Sequence, residues 1–286
     1  MDPRLKRLDL KTLALSTSDL LMPRVCLCCG RQLLPGERHL CCVCLADLPL
    51  TCYESVVQNP MADKFNALVE APGYERAAAL FYYTEGYRKI TQALKYRRNF
   101  GAGRWFASLL GEKLAGAGWD VDVVCPVPLH WTRRFKRGYN QASVIGREVA
   151  RALEVPFVPR LLQRRRHTAS QTKLSAEERS RNLAGAFRVR GSLASLAGGW
   201  GGKPSARTAR SFPPTPDGAG PSRSLAAGGQ GVSAPNLHSS FARPPRILII
   251  DDVFTTGATV AACAAALREA FGPEVRISVA TLAFSR

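Results

Sequence analysis

Long apolar runs are missing from this chain of 286 residues, and their absence excludes a membrane-spanning helix. The basic start at Arg4, Lys6, Arg7 and Lys11 imitates an export signal, but Ser16, Thr17, Ser18 and Asp19 interrupt the apolar patch behind it. Residues 1–22 are therefore expected to form an amphipathic helix. Histidine is scarce too: the four present are scattered without acidic partners, which leaves a hydrolase triad unsupported. Acidic residues number 22 against 40 Lys/Arg, for a net charge of +18. The excess is local, because residues 88–190 hold 22 Lys/Arg and 7 Asp/Glu. Such a field attracts a polyphosphate sugar or a nucleic acid, although a basic surface also serves solubility alone. With 46% hydrophobic residues, the length suffices for one good core plus a small module.

Cysteine is abundant but crowded. Seven of nine lie between Cys26 and Cys52, a density that fits metal binding in a reducing cytoplasm better than a disulfide framework. Cys26-Leu27-Cys28-Cys29-Gly30 and Cys41-Cys42-Val43-Cys44 each contain a Cys-x-x-Cys knuckle, with eleven residues between Cys29 and Cys41. That spacing suits one structural zinc held by Cys26, Cys29, Cys41 and Cys44, with no open position for water. Cys28 and Cys42 leave the register ambiguous, and His39 or Cys52 could replace one ligand; a redox dithiol is the competing reading of a single knuckle. Cys125 and Cys263 read as inert core thiols.

The most informative stretch is Ile247-Leu248-Ile249-Ile250-Asp251-Asp252-Val253-Phe254-Thr255-Thr256-Gly257-Ala258-Thr259. Four large apolar residues without polar alternation predict a buried parallel strand that carries two acids to the carboxyl edge of a sheet. Ligands of open α/β sheets bind at that edge, and a following helix offers amides and a positive dipole end to an anion. Val260, Ala264, Leu267 and Phe271 recur at helical spacing, so a helix is expected over Ala258–Phe271, stopped by Gly272-Pro273. Thr255, Thr256, Gly257, Ala258 and Thr259 then suit a sugar 5-phosphate. Asp251 and Asp252 accept from ribose hydroxyls, directly or through magnesium-bound water. The plain alternative is that the acid pair only caps the helix.

Elsewhere, strands are expected at Ala78–Tyr83 and Val121–Val127, and helices at Tyr87–Arg98, Arg104–Leu114 and Asn140–Leu153. Residues 164–187 read as a polar excursion ending in a short helix and a strand. Residues 191–245 lack Ile, Tyr, Met and Cys and are rich in Gly, Pro, Ser, Ala and Arg, so this stretch is expected to be a disordered insertion.

The acid pair and Thr-Thr-Gly turn resemble those of type I phosphoribosyltransferases. Pro126-Val127-Pro128-Leu129-His130, Arg137-Gly138-Tyr139-Asn140-Gln141, the stretch from Gln171 to Phe187 and the paired cysteines extend the resemblance to the ComF family. The resemblance implies an α/β fold with a parallel sheet flanked by helices and a small N-terminal zinc ribbon. It divides the chain into a helix at 1–22, a four-cysteine zinc ribbon at 23–60 and a phosphoribosyltransferase-like domain at 61–286, interrupted by the 191–245 insertion. It implies binding of phosphoribosyl pyrophosphate with magnesium, with Asp251 and Asp252 as catalytic residues and pyrophosphate received at Arg137 and Gly138. A flexible loop carrying Arg164, Arg166, Thr168, Gln171, Arg179 and Asn182 would close over the site. No cysteine follows Met1 to act as a glutaminase nucleophile. The family's link to natural competence implies single-stranded DNA and other competence proteins as partners, and leaves open a non-catalytic DNA-binding scaffold.

Overall fold

Ile247, Leu248, Ile249 and Ile250 are all fully shielded from solvent, each contributing about 1.5–3 kcal/mol of burial to the centre of the molecule. The structure is a computed structural model that describes residues 23–69, 74–96, 100–129, 138–165, 183, 185–190 and 243–286. The expected N-terminal helix and all but 243–245 of the expected insertion lie outside these residues.

In chain order the elements are α1 (Cys42–Ala46), a 3-10 turn (Tyr53–Ser55), α2 (Pro60–Asn66), β1 (Tyr74–Tyr82), α3 (Arg88–Tyr96), α4 (Phe100–Gly116) and β2 (Val123–Pro126). There follow α5 (Gln141–Leu153), β3 (Leu162–Arg164), β4 (Phe187–Val189), β5 (Arg246–Phe254), α6 (Ala258–Phe271) and β6 (Arg276–Phe284). The main sheet has the order β1-β6-β5-β2, and every pairing in it is parallel. The expected fold class, a parallel α/β sheet flanked by helices with a four-cysteine group near the N-terminus, is the one observed.

Two differences from the sequence expectations matter. The strand expected over Ile247–Ile250 runs on to Phe254, because its backbone stays paired with β6 through Asp251↔Thr281 and Phe254↔Phe284. Strand β6 itself was not anticipated, although Ile277 to Phe284 is buried throughout, as a central strand covered on both faces must be.

Both outer strands are covered. Along β1, Tyr82 N donates to Pro49 O at 2.8 Å and Thr51 N to Leu80 O at 3.2 Å, so the segment leaving the cysteine module lies antiparallel beside the strand. Along β2, Val124 N donates to Pro156 O and Val158 N to Val124 O, both at 2.9 Å. The start of β5 is pinned by Asp122, which accepts from the Arg246 amide and from Arg243, each at 2.8 Å.

Helices α4 and α5 approach closely at Gly111, where a Cβ would stand 2.7 Å from Ala152 Cβ and 3.2 Å from Val149 Cα. Backbone cannot yield as a flexible side chain does, so Gly111→Val is expected to destabilise the protein by about 1–3 kcal/mol. A urea unfolding midpoint equal to that of the parent would show that the helices are free to separate.

Candidate functional site

The acid pair stands near the carboxyl end of β5, half-buried, with Asp252 N donating to Asp251 Oδ1 at 2.8 Å. Thr255 is exposed, Thr256 and Thr259 are half-buried, and Gly257 and Ala258 are buried. Gly257 turns the chain into α6 with φ of +79°, in the left-handed region that glycine alone enters freely. A Cβ there would lie 2.6 Å from Phe254 Cζ and 3.0 Å from Leu68 Cδ1. The constraint on Gly257 is thus packing behind the turn as well as backbone conformation. No side chain caps α6, whose first helical bond runs from Ala261 N to Gly257 O at 2.9 Å. Residues expected to hold ribose and phosphate therefore share one strand-turn-helix, with acids on the strand and hydroxyls around an uncapped helix start.

Behind the pair, burial pushes the Cys263 thiol well up; Cys125 and Asp251 add to the rise, and Arg164 opposes it. Burial likewise pushes Cys125 up to about 12. Both are protonated core thiols. Arg164, expected in a flexible loop, is instead the last residue of β3, paired with Phe187 at the foot of the excursion. Antiparallel pairing of β3 with β4 fixes it there. Arg166, Thr168, Gln171, Arg179 and Asn182 lie outside the described residues, as does Arg137.

Gly138, expected at the pyrophosphate, is exposed with φ of +78° and borders a separate cleft of about 1010 Å³ on the β2 side of the sheet. Arg104, Arg147, Arg160, Arg164 and Arg190 line this cleft, against one acid, Glu148, among the described residues. Phe100, Tyr139 and Phe157 are its aromatic lining, and the ring centroids of the first two are 4.5 Å apart. Sequence reasoning missed this grouping. The arginines come from several separate elements, and the only signal was the basic excess of residues 88–190.

In the N-terminal module the Sγ atoms of Cys26, Cys29, Cys41 and Cys44 all lie within 4.8 Å of one another, with Cys29 and Cys41 at 3.8 Å. Four thiolates about 2.3 Å from a zinc stand roughly 3.8 Å apart, so this donor set fits that metal. Burial raises the Cys26 thiol, but the amides of Cys29, Cys41 and Cys28 pointing at its sulfur outweigh this and hold it at about 6. Cys28 is pushed up to about 11 by burial and by the neighbouring thiolates Cys26 and Cys29. His39 turns away and packs against Trp105 at 5.8 Å, while Cys42 and Cys52 are exposed outside the cluster. The ambiguity of register is thereby resolved by geometry. The module is seated on α3 and its approach: Lys89 Nζ donates to Cys28 O at 2.9 Å and Tyr87 Oη to Cys44 O at 3.0 Å.

Sheet, uncapped turn and thiol cluster together define an α/β protein of the open parallel type with an attached four-cysteine module. By sequence the chain is a homologue of competence protein F from Haemophilus influenzae, 31% identical over 127 residues, which are 43% of this chain and 56% of that protein. It therefore spans little more than half the length of that relative. DNA utilization protein YhgH is 27% identical over 180 residues in Salmonella typhi and 26% over 187 residues in Escherichia coli strain K12. Each match covers 59% of this chain and 79% of the relative. These relatives bear out the resemblance to the ComF family. No protein-family model matches the chain. Among solved structures, adenine phosphoribosyltransferase from Leishmania tarentolae aligns at 15% identity with a TM-score of 0.29, over 84% of this chain and 94% of that one. No helix among the described residues is long and apolar enough to cross a membrane.

Proposed function

We propose that this protein binds phosphoribosyl pyrophosphate with magnesium and transfers the phosphoribosyl group to an acceptor, releasing pyrophosphate, in a cytoplasmic role tied to DNA uptake. The observation that carries the reading is the acid pair on β5 running directly into an uncapped α6 through a left-handed glycine. Asp251 and Asp252 take the ribose hydroxyls, and Thr255, Thr256, Gly257, Ala258 and Thr259 take the 5-phosphate. Two half-buried carboxylates are the hard oxygen donors that magnesium prefers. When bound, the ion would neutralise diphosphate charge, held by these two acids through its water. Arg137 and Gly138 receive the departing pyrophosphate, and the segment from Arg166 to Asn182 excludes water from a cationic transition state. A structural zinc holds the ribbon, and the chain divides at 1–22, 23–60 and 61–286, with 191–245 inserted.

Calorimetric titration with phosphoribosyl pyrophosphate and magnesium tests the reading. Asp252→Asn removes a charge-assisted bond of about 1.5–3 kcal/mol, so affinity is expected to fall roughly 10- to 150-fold. No measurable affinity in the parent protein would sink it. A second reading, a non-catalytic scaffold for single-stranded DNA, is favoured by the arginine-lined cleft beside Phe100 and Tyr139.

A further inference from the structure

The chain leaves the main sheet at Val127 and enters α5 at Asn140, thirteen residues further on. Val127 joins the two ends of that excursion to the strand of the acid pair, because both of its backbone groups are engaged. Its amide donates to Ile250 O at 2.8 Å, one residue before Asp251. Its carbonyl accepts from Asn140 Nδ2 at 2.9 Å. A carbonyl can only accept, so the amino end of the Asn140 side chain is the end that faces it. One buried residue is thus bonded on one side to β5 and on the other to the residue that follows Gly138 and Tyr139.

This is an unusual use of the position. Asn140 is the N-cap of α5, where an asparagine ordinarily turns its side-chain oxygen onto the first amides of the helix. Here no side-chain cap bond forms, and the amides of Ser143 and Val144 reach the Asn140 main-chain oxygen instead, at 3.1 and 3.3 Å. The side chain serves the connection to Val127. Asn140 is half-buried and Val127 is buried, so water competes poorly for that bond. Tyr139 is held from a second direction by its contact with Phe100 at the start of α4. Gly138, in the left-handed region with φ of +78°, is where this held segment begins.

We propose that Asn140 is a positioning residue that fixes Gly138 relative to the acid pair, a role that rests on the sugar-phosphate reading above and deepens it. Phosphoribosyl pyrophosphate carries a diphosphate on C1 and a phosphate on C5 of the ribose. Its two charged ends engage Gly138 and the threonine turn together only if these stand at a set spacing. Two hydrogen bonds, Asn140 to Val127 and Val127 to Ile250, set that spacing. Ribose 5-phosphate lacks the diphosphate and needs only the acid pair and the turn.

Calorimetric titration of the full zinc-loaded chain with each of these two ligands, in magnesium, tests the role. Asn140→Asp cannot donate to Val127 O, yet aspartate is as good an N-cap as asparagine, so α5 keeps its start. Affinity for phosphoribosyl pyrophosphate is expected to fall roughly 10- to 100-fold, and affinity for ribose 5-phosphate to stay at the parent value. Asn140→Ala removes the donor without adding charge and should show the same selective loss. A loss confined to Asn140→Asp would mark plain repulsion of the diphosphate and overturn the role. Equal losses for both ligands would mean a general disturbance of the fold, and would overturn it as well. If the parent binds phosphoribosyl pyrophosphate and both variants bind it equally well, only the positioning role fails. A parent chain that binds neither ligand sinks the sugar-phosphate reading itself, and the role of Asn140 with it.

Discussion

Stripping the metal with a strong chelator is expected to unfold residues 26–44 while the parallel sheet persists. Val25, Leu34, Val43 and Leu45 are 51%, 59%, 53% and 43% exposed, so this module has only a few buried apolar side chains, among them Leu33 and Leu40. Zinc held by four thiolates contributes about 10–16 kcal/mol, as much as the whole stability of an ordinary domain. The loss should appear as rapid tryptic cleavage after Arg31 and Arg38, and as a changed near-ultraviolet signal from Trp105, which loses His39. Added zinc should reverse both. Cys41→Ser should behave like the chelated protein, and Cys42→Ser, at an exposed position outside the cluster, like the parent. A chelated chain that resists trypsin as the parent does would remove the case for a structural metal.

Gly257→Val is the second large effect. An L-residue held in the left-handed region costs about 1–2 kcal/mol, and forcing a side chain against Phe254 and Leu68 adds about 1–3 kcal/mol. We expect a loss of roughly 2–5 kcal/mol in denaturant unfolding, together with disappearance of sugar-phosphate binding, because the amides of the turn are displaced. Phe254→Leu opens space beside the turn without changing its backbone. Combined with Gly257→Ala, it should recover only the steric part of the loss, and a double-mutant cycle isolates that share. A Gly257→Val protein as stable as the parent would mean that the turn is not fixed by these contacts.

How far the sequence disclosed this molecule depended on whether a signal was local. The apolar run Ile247–Ile250, the helix Ala258–Phe271 and the paired knuckles are each written in consecutive residues, and α6 has the expected bounds. The extension of β5 to Phe254 was illegible because it depends on pairing with β6, a partner supplied by a remote segment. Strand β6 carries a nearly continuous apolar signal that a reading stopped by Gly272-Pro273 passed over. The knuckle spacing pointed to Cys29 and left Cys28 and Cys42 as alternatives, and the sulfurs that converge are those of Cys26, Cys29, Cys41 and Cys44. The arginine cleft was least accessible of all, since Arg104, Arg147, Arg160 and Arg190 come from separate segments that only the folded chain brings together.

The cover along β1 ties metal status to colloidal behaviour. Pro49 and Thr51 occupy hydrogen-bonding positions that would otherwise form an open template for another chain's strand, and they leave the cysteine module only a few residues earlier. A preparation deprived of its metal would loosen that covering segment and uncover the row from Ala79 to Tyr82. Self-association through that border, rather than loss of the interior, would then be the first symptom of metal starvation.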